Sequence, residues 1–343
     1  MRKFLAKHRR PLLITTGMLV AAAAFSAYSL LSSLSSAPDA QRIFVDADDD
    51  ADSVRTKVLA HASWHGSLGF RLATTFMPGG LRVPAGAYDI GSGQSPMAVV
   101  RRLRAGRQTP VRLTIPSVWT MNDLAGRLSR FMLTDSATWA AHFADSTWCA
   151  RFDCTPQTLP ALYLTNTYEV YWTEGPDELT RRMQRESKAY WNEQRTALAQ
   201  AQGLTPTEVI VLASIVDRET AADSEKPMVA GMYLGRLRKG MKLQADPTVK
   251  FALGQFGLRR LLHAHLTAPS PYNTYVNEGL PPGPIALPSR SSIEAVLHPA
   301  VHDYLYMCAN DDFSGTHRFA RTYEEHLQNA ARYARALDAR QIK

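Results

Sequence analysis

The segment TPTEVIVLASIVDRET, residues 205–220, contains the carboxyl group best placed to do chemistry. Thr205 and Glu208 have the spacing of a helix capping box, and Pro206 follows at the first helical position, so the segment predicts a helix with a marked start. Its large apolar side chains recur at helical spacing and form one stripe: Val209, Leu212, Ile215 and Val216. Glu219 falls within that stripe.

A carboxylate on the apolar face of a helix is costly unless it is paired or protonated. Burial raises the pKa of a carboxyl group, so Glu219 is expected to keep its proton near neutral pH and to be able to donate it to a leaving oxygen. The alternative is an ion pair with an arginine such as Arg236, in which case Glu219 only braces the fold. The helix pattern by itself leaves both interpretations open.

Three polar loops rich in proline and glycine follow this helix: KLQADPT (242–248), SPYNTY (270–275) and GLPPGPI (279–285). Rigid loops that present amides and hydroxyls suit a ligand with many hydroxyl and acetamido groups. The candidate binding residues are Gln244, Asp246, Tyr272, Asn273, Thr274 and Tyr275. The chain has no P-loop, no G-x-G-x-x-G fingerprint, no G-x-S-x-G elbow and no zinc-type spacing of cysteines and histidines, so we predict no metal and no cofactor.

The N-terminal region predicts a membrane helix that positions the rest of the chain. Residues 1–10 form a basic tail, and residues 11–31 are uncharged and long enough to cross a bilayer once. The positive-inside rule then places the N-terminus in the cytoplasm. The alternative is a cleaved signal peptide, because Ser35-Ser36-Ala37 resembles a cleavage site. Both interpretations send the residues beyond about 38 across the membrane.

Charge argues against a nucleic-acid partner. The net charge is +8, and the basic residues Arg2, Lys3, Lys7, Arg9 and Arg10 of the tail supply five of these charges. The rest of the chain is therefore close to neutral and lacks the strong basic excess that nucleic-acid binding domains show.

Beyond the membrane helix the sequence predicts an α+β protein in two parts. Residues 32–132 form a membrane-proximal region that contains a small strand–helix–strand α/β module at about 81–115. Ser95 is the predicted N-cap of its helix, Gly106 its stop, and Val111–Ile115 its second strand. Residues 133–343 form a larger mixed α+β domain.

Within the larger domain we expect two further helices. One long helix is predicted from Asp177 to Ala201, and a second capping box, Thr322 with Glu325, predicts a C-terminal helix.

Two groups of residues in this region have alternative interpretations. A cluster of aromatic residues suits either a carbohydrate groove or ordinary core packing: Trp139, Trp148, Phe152, Tyr163, Tyr168, Tyr171 and Trp172. Cys149 and Cys154 are close enough to form a disulfide after export, or they are free thiols in the core, with Cys308 left over.

Several blocks of this sequence resemble the YceG-like endolytic murein transglycosylases, over about residues 41–338. The blocks are NTYEVYW (166–172), LASIVDRET (212–220), PMVAGMYLGRLRKGMKLQADPTV (227–249), SPYNTYVNEGLPPGPIALP (270–288) and HPAVHDYLYM (298–307). The resemblance implies that Glu219 is the catalytic acid and base, that residues 133–343 form the catalytic domain, and that the 81–115 module is LysM-like and binds peptidoglycan. It also implies a single-pass inner-membrane protein with its catalytic domain in the periplasm.

The implied reaction is cleavage of the β-1,4 bond between N-acetylmuramic acid and N-acetylglucosamine, with formation of a 1,6-anhydro end. Cutting within nascent glycan strands near the membrane, with cell-wall synthases as further partners, also follows from the resemblance. The alternatives are a muramidase that hydrolyses the bond with Asp246 as a second carboxylate, and a scaffold that binds the wall without cutting it. The sequence departs from the family pattern at Asp217, Gly235 and Thr165, where glutamate, asparagine and proline are usual.

Overall fold

The computed structural model describes residues 2–75, 78–91, 93–258 and 260–340, with side chains from Leu13 onward. The chain is a mixed α+β protein, as predicted, and it divides into two compact units. The first unit comprises residues 1–112 and 169–174, and the second comprises residues 113–168 and 175–343. The second unit begins at residue 113, and the start that the sequence predicts for the larger domain is residue 133.

The first unit contains a long N-terminal helix and a small α/β body. Its elements are α1 (Arg2–Leu31), β1 (Ala40–Val45), α2 (Ala51–Leu59), α3 (Trp64–Thr75), β2 (Gly86–Gly91) and α4 (Pro96–Arg104). The predicted N-cap of α4 is confirmed, because the Ser95 side chain accepts a hydrogen bond from the Ala98 backbone N–H. Gly106 follows α4 with φ +62°.

The strands of the predicted 81–115 module do not pair with each other. β2 pairs antiparallel with β1, so that Ala40 lies opposite Gly91 and Val45 opposite Gly86. The following strand, β3 (Val111–Ile115), pairs instead with β4 (Asn166–Val170). The predicted order of strand, helix and strand is therefore present, but residues 81–115 do not form a sheet of their own. The LysM-like character of this segment stays a prediction.

The N-terminal helix has the length and composition of a membrane span from Leu13 to Leu31. Its side chains are largely exposed, which is unusual for an apolar helix that belongs to a water-soluble core. At its C-terminal end it packs closely on α3, where a Cβ on Gly69 would lie 1.9 Å from the Ser29 carbonyl oxygen. The helix is compatible with membrane anchoring.

The second unit is mainly helical, with one β-hairpin. Besides a 3-10 turn at Leu159–Leu162, its helices are α5 (Met121–Leu128), α6 (Ser136–Ala144), α7 (Ser146–Ala150), α8 (Pro176–Tyr190), α9 (Glu193–Ala201), α10 (Pro206–Glu219), α11 (Lys226–Arg238), α12 (Asp246–Leu253), α13 (His263–Leu266), α14 (Arg290–Leu297) and α15 (Tyr323–Ala339). The hairpin consists of β5 (Tyr306–Ala309) and β6 (His317–Ala320).

The capping signals of the second unit are confirmed, but the predicted long helix is wrong. Both capping boxes form, Thr205 with Glu208 and Thr322 with Glu325. The segment predicted as one helix from Asp177 to Ala201 is two helices, because α8 ends at Tyr190 and the Asn192 side chain caps α9 by accepting the Arg195 N–H at 2.9 Å.

Most of the clustered aromatic residues belong to the core. The buried ones are Trp139, Trp148, Phe152, Tyr163 and Tyr168. Tyr171 is about half exposed, with 48% of its surface accessible. Core packing therefore explains five of the seven rings. The three cysteines are free thiols in this structure.

Helix α10 runs through the core of the second unit and is held near its C-terminus by Asp217. All four apolar side chains of the predicted stripe are fully buried. The Asp217 carboxylate accepts hydrogen bonds from the hydroxyls of Ser117 (2.9 Å), Ser289 (2.5 Å) and Ser292 (2.6 Å). Burial alone would raise the Asp217 pKa, but these hydrogen bonds outweigh it and hold the pKa below its ordinary value.

We expect Asp217→Ala to lower the free energy of unfolding of the second unit by about 3 kcal/mol, because it removes the acceptor of three serine hydroxyls and a carboxylate partner of the buried Lys226. Since the folded-state pKa is depressed, the stabilisation by Asp217 is present above the pKa of the unfolded chain and is lost as the pH falls through the folded-state value. Urea unfolding measures the effect. The control is Asp223→Ala, which removes a carboxylate that is 71% exposed and should cost under about 1 kcal/mol. Equal losses in the two variants would contradict this account of Asp217.

Candidate active site

Glu219 lines an open pocket of about 430 Å³ in the second unit. The ends of α10, α11 and α12, the β5–β6 hairpin and the start of α15 surround the pocket. Its lining residues are Glu219, Met232, Tyr233, Arg236, Leu243, Gln244, Asp246, Tyr275, Tyr306, Met307, Cys308, Ala309, His317, Tyr323 and His326. The pocket combines carboxyl, amide and phenol groups with exposed aromatic rings, so it can take a ligand that has both polar groups and apolar faces.

The Glu219 carboxyl group is shielded and has one strong hydrogen-bond donor. It is the last residue of α10, and the Tyr233 hydroxyl donates to its Oε1 at 2.5 Å. Burial raises the Glu219 pKa to about 7, and the nearby Asp246 also raises it, while the Tyr233 hydrogen bond and the nearby Lys250 lower it. The position at the helix C-terminus also disfavours a negative charge, because the backbone carbonyls give that end partial negative charge. Glu219 can therefore change protonation state near neutral pH.

Arg236 does not neutralise Glu219. Among the described residues Glu219 has no ion-pair partner. The Arg236 guanidinium instead donates to backbone carbonyls, from Nε to Leu305 at 2.7 Å and from Nη1 to Leu243 at 2.7 Å. It therefore braces the pocket wall, and the ion pair that was the alternative for Glu219 is not formed.

Three of the six predicted binding residues reach the pocket with Glu219, namely Gln244, Asp246 and Tyr275. The Tyr275 hydroxyl donates to Asp246 Oδ1 at 2.6 Å, which joins the 270–275 loop to the first turn of α12. Gln244 has a left-handed backbone with φ +52°, a conformation that non-glycine residues rarely adopt. Such strained residues tend to occur at functional sites.

The other three predicted residues do not line this pocket. Asn273 is fully buried, and its amide donates to the carbonyls of Leu266 (3.0 Å) and Ala268 (2.9 Å). The Thr274 hydroxyl accepts the Ala245 N–H at 3.0 Å. The Tyr272 ring packs 4.7 Å from the Phe251 ring, between centroids. These contacts fix the shape of the loop that carries Tyr275.

Several residues that line the pocket were not predicted from the sequence: Tyr233, Tyr306, His317, Tyr323 and His326. Tyr306 lies within the HPAVHDYLYM block and Tyr233 within the block at 227–249, so the resemblance offered a signal for both. Tyr323 and His326 are three residues apart at the start of α15, and Tyr233 and Arg236 have the same spacing on α11, so each pair shares one helix face. No local pattern distinguishes these faces from ordinary surface.

Two of the residues that depart from the family pattern, Gly235 and Thr165, make ordinary contacts with their neighbours. A Cβ added at Gly235 would lie 3.5 Å from Leu305 Cδ2, at ordinary contact distance. The Thr165 hydroxyl donates to the Pro288 carbonyl at 2.9 Å. Neither residue lines the Glu219 pocket.

Comparison with known proteins identifies the family. The family model described as the YceG-like family matches residues 43–332. The chain belongs to the YceG-like family. A crystal structure of a YceG-like protein from Listeria monocytogenes superposes with a TM-score of 0.58 at 25% identity, covering 85% of this chain and 99% of the other.

Curated relatives of this YceG-like chain are named endolytic murein transglycosylases. One from Bacillus subtilis is 40% identical over 126 residues, which is 37% of this chain and 34% of the relative. Another from Streptococcus pneumoniae is 27% identical over 283 residues, or 73% of this chain and 50% of the relative. The matches thus span about half or less of the length of these relatives.

We expect Tyr233→Phe to raise the Glu219 pKa above about 7, because it removes a hydrogen bond that favours the ionised carboxyl. Carbon-13 NMR titration of the glutamate carboxyls measures this, and the spectrum of Glu219→Gln assigns the resonance. Tyr168→Phe is a matched control, since the buried Tyr168 hydroxyl donates to the Leu164 carbonyl and does not line the pocket. An unchanged Glu219 pKa in Tyr233→Phe would show that this hydrogen bond does not tune the acid.

Proposed function

We propose that this protein is a lytic transglycosylase that cuts peptidoglycan glycan strands at the β-1,4 bond between N-acetylmuramic acid and N-acetylglucosamine. The observation that carries the proposal is Glu219, whose shielded carboxyl has a pKa of about 7 and lines an open pocket without an ion-pair partner among the described residues. Membership of the YceG-like family, with relatives named endolytic murein transglycosylases, supports the same activity and cutting within strands.

In this mechanism Glu219 acts first as an acid and then as a base. The protonated carboxyl donates its proton to the glycosidic oxygen, and the bond from that oxygen to C1 of the muramoyl residue breaks. The resulting carboxylate takes the proton of the muramoyl C6 hydroxyl as O6 bonds to C1, which leaves a 1,6-anhydro end. The attack is intramolecular and gains effective molarity. A pKa near the working pH suits a group that must serve in both states.

Tyr233 and the Asp246–Tyr275 pair have supporting roles in the proposal. The Tyr233 hydroxyl favours the Glu219 carboxylate and so assists proton donation to the glycosidic oxygen in the first half of the reaction. Asp246 and Gln244, which line the same pocket, are placed to hold hydroxyl and acetamido groups of the strand. Asn273, Thr274 and Tyr272 contribute by holding the loop.

A muramidase that hydrolyses the bond is the second candidate, because Asp246 provides a second carboxylate in the pocket of Glu219. Such an enzyme would produce a reducing end rather than an anhydro end. A scaffold that binds the wall without cutting it is the third interpretation. The scaffold interpretation assigns no function to the shielded carboxyl of Glu219, which has no ion-pair partner among the described residues.

We further propose that α1 anchors the protein in the inner membrane with its N-terminus in the cytoplasm. The basic tail and the span from Leu13 to Leu31 support this topology. The anchor would keep the periplasmic second unit near nascent glycan strands and near the synthases that make them.

We expect Glu219→Gln to reduce release of anhydro-muropeptides from purified peptidoglycan by a factor of about 10³ or more, because glutamine cannot donate or take the proton. Mass spectrometry separates the anhydro product from the hydrolysed product, which is heavier by one water. Glu208→Gln is the matched control, because it lies on the same helix and glutamine preserves the capping box. Undiminished anhydro product from Glu219→Gln would refute the proposal, and a reducing-end product from the native protein would favour the muramidase.

We expect the rate at low substrate concentration to fall as the pH rises through about 7, because the first step requires protonated Glu219. Below that pH the acid form predominates and this decline is absent. Tyr233→Phe should move the decline to higher pH, and Tyr168→Phe should not. A pH profile measured by product release tests this, and a decline that stays in place in Tyr233→Phe would assign it to another group.

A further inference from the structure

One wall of the Glu219 pocket consists of three rings in mutual contact, to which the proposed reaction assigns no role. This aromatic wall is formed by Tyr306 of β5 with Tyr323 and His326 of α15. The ring centroid of Tyr306 lies 5.6 Å from that of His326 and 5.9 Å from that of Tyr323. The centroids of Tyr323 and His326 are 6.1 Å apart. The rings support one another, so each presents its free surface in a fixed orientation.

The exposure of Tyr323 indicates that the aromatic wall is built for a ligand. Tyr323 is 58% exposed although it lines a pocket, and no hydrogen bond from its hydroxyl to another described residue explains its place. His326 behaves as a further uncharged ring, since burial and the nearby Arg236 lower its pKa. A rigid ring left open beside polar groups gains free energy when it covers the apolar face of a bound molecule.

The polar groups of the pocket favour an uncharged ligand with hydroxyl and amide groups. Arg236 is the only arginine or lysine among the described lining residues, and its guanidinium is directed to backbone carbonyls. The one guanidinium among the described lining residues is therefore not free to bind a phosphate. Gln244, Asp246 and Tyr275 instead present an amide, a carboxylate and a phenol.

His317 adds a fixed hydrogen-bonding group to the same pocket. The buried Glu225 carboxylate, which is 8% exposed, binds it twice: Oε1 accepts the His317 backbone N–H at 2.5 Å and Oε2 lies 3.0 Å from ring Nδ1. This contact orients the ring and leaves Nε2 without a hydrogen bond to the described residues. Since His317 lines the pocket, Nε2 is available to a ligand hydroxyl or amide.

We propose that the aromatic wall forms a sugar subsite, in which the apolar face of one N-acetylhexosamine ring stacks on Tyr323, while His317 binds polar groups of the same strand elsewhere in the pocket. This subsite rests on the proposed function, because the proposed function identifies the glycan strand to which the sugar ring belongs. It adds a site on the hairpin and α15, distinct from the acid that cuts the bond. The subsite holds the strand while Glu219 reacts, so it acts through binding.

Binding of a β-1,4-linked N-acetylglucosamine tetramer to the full chain in detergent tests the subsite, with Glu219→Gln as the parent to prevent turnover. We expect Tyr323→Ala to weaken binding about fivefold to tenfold by calorimetry, because the stacking surface is lost. Tyr323→Phe should bind as the parent does, since the ring remains. Alanine is a good helix former and the capping box of α15 is untouched, so the helix is expected to persist.

Tyr333→Ala is the matched control, because it removes a ring from the same helix outside the pocket, and it should leave tetramer binding unchanged. In the active protein, Tyr323→Ala should raise KM for glycan strands with little change in kcat. Equal affinity of parent and Tyr323→Ala, equal losses in Tyr323→Ala and Tyr333→Ala, or no binding of the tetramer to the parent would each overturn the subsite. Failure of the proposed function would appear separately, as undiminished anhydro product from Glu219→Gln.

Discussion

The burial of one carboxyl group at the end of α10 is the constraint on which the site depends. A free carboxylate at Glu219 would be costly in a shielded position at the negative end of a helix, so its proton is held more tightly than in water. Among the described residues no cation forms an ion pair with Glu219, and the nearby Lys250 only lowers its pKa. The protein gives the group one hydrogen bond, from Tyr233, which moderates the pKa without fixing the charge. The desolvation that makes the ionised carboxyl costly also keeps its proton available near neutral pH.

The neighbouring charges are arranged so that Glu219 stays unpaired. Arg236 lies on the same helix as Tyr233, one turn further on, yet its guanidinium is occupied by the backbone carbonyls of Leu305 and Leu243. Asp217 is two residues before Glu219, and it accepts hydrogen bonds from three serine hydroxyls and lies 3.5 Å from the Lys226 ammonium. The first carboxylate therefore anchors the helix and the second is free to titrate, although both lie on one turn of α10.

The elements that local patterns specify were predictable. The helix α10, its capping box and the apolar stripe containing Glu219 depend on contacts between residues three or four apart, which the sequence displays directly. The break between α8 and α9 was missed because helix-forming residues continue on both sides of Trp191 and Asn192. An asparagine is visible as an N-cap only once the preceding helix is known to stop.

The sequence by itself determined the candidate acid, the capped helix that carries it, the apolar N-terminal span and, through long matching blocks, the family. The tertiary structure decided which side chains meet Glu219. It directed Arg236 to carbonyls, turned Asn273 and Thr274 inward, and brought Tyr306, Tyr323 and His317 from a distant part of the chain to the pocket. It also paired β2 with β1 rather than with β3. These outcomes depend on packing between segments far apart in sequence, and such contacts leave no periodic signal in either segment.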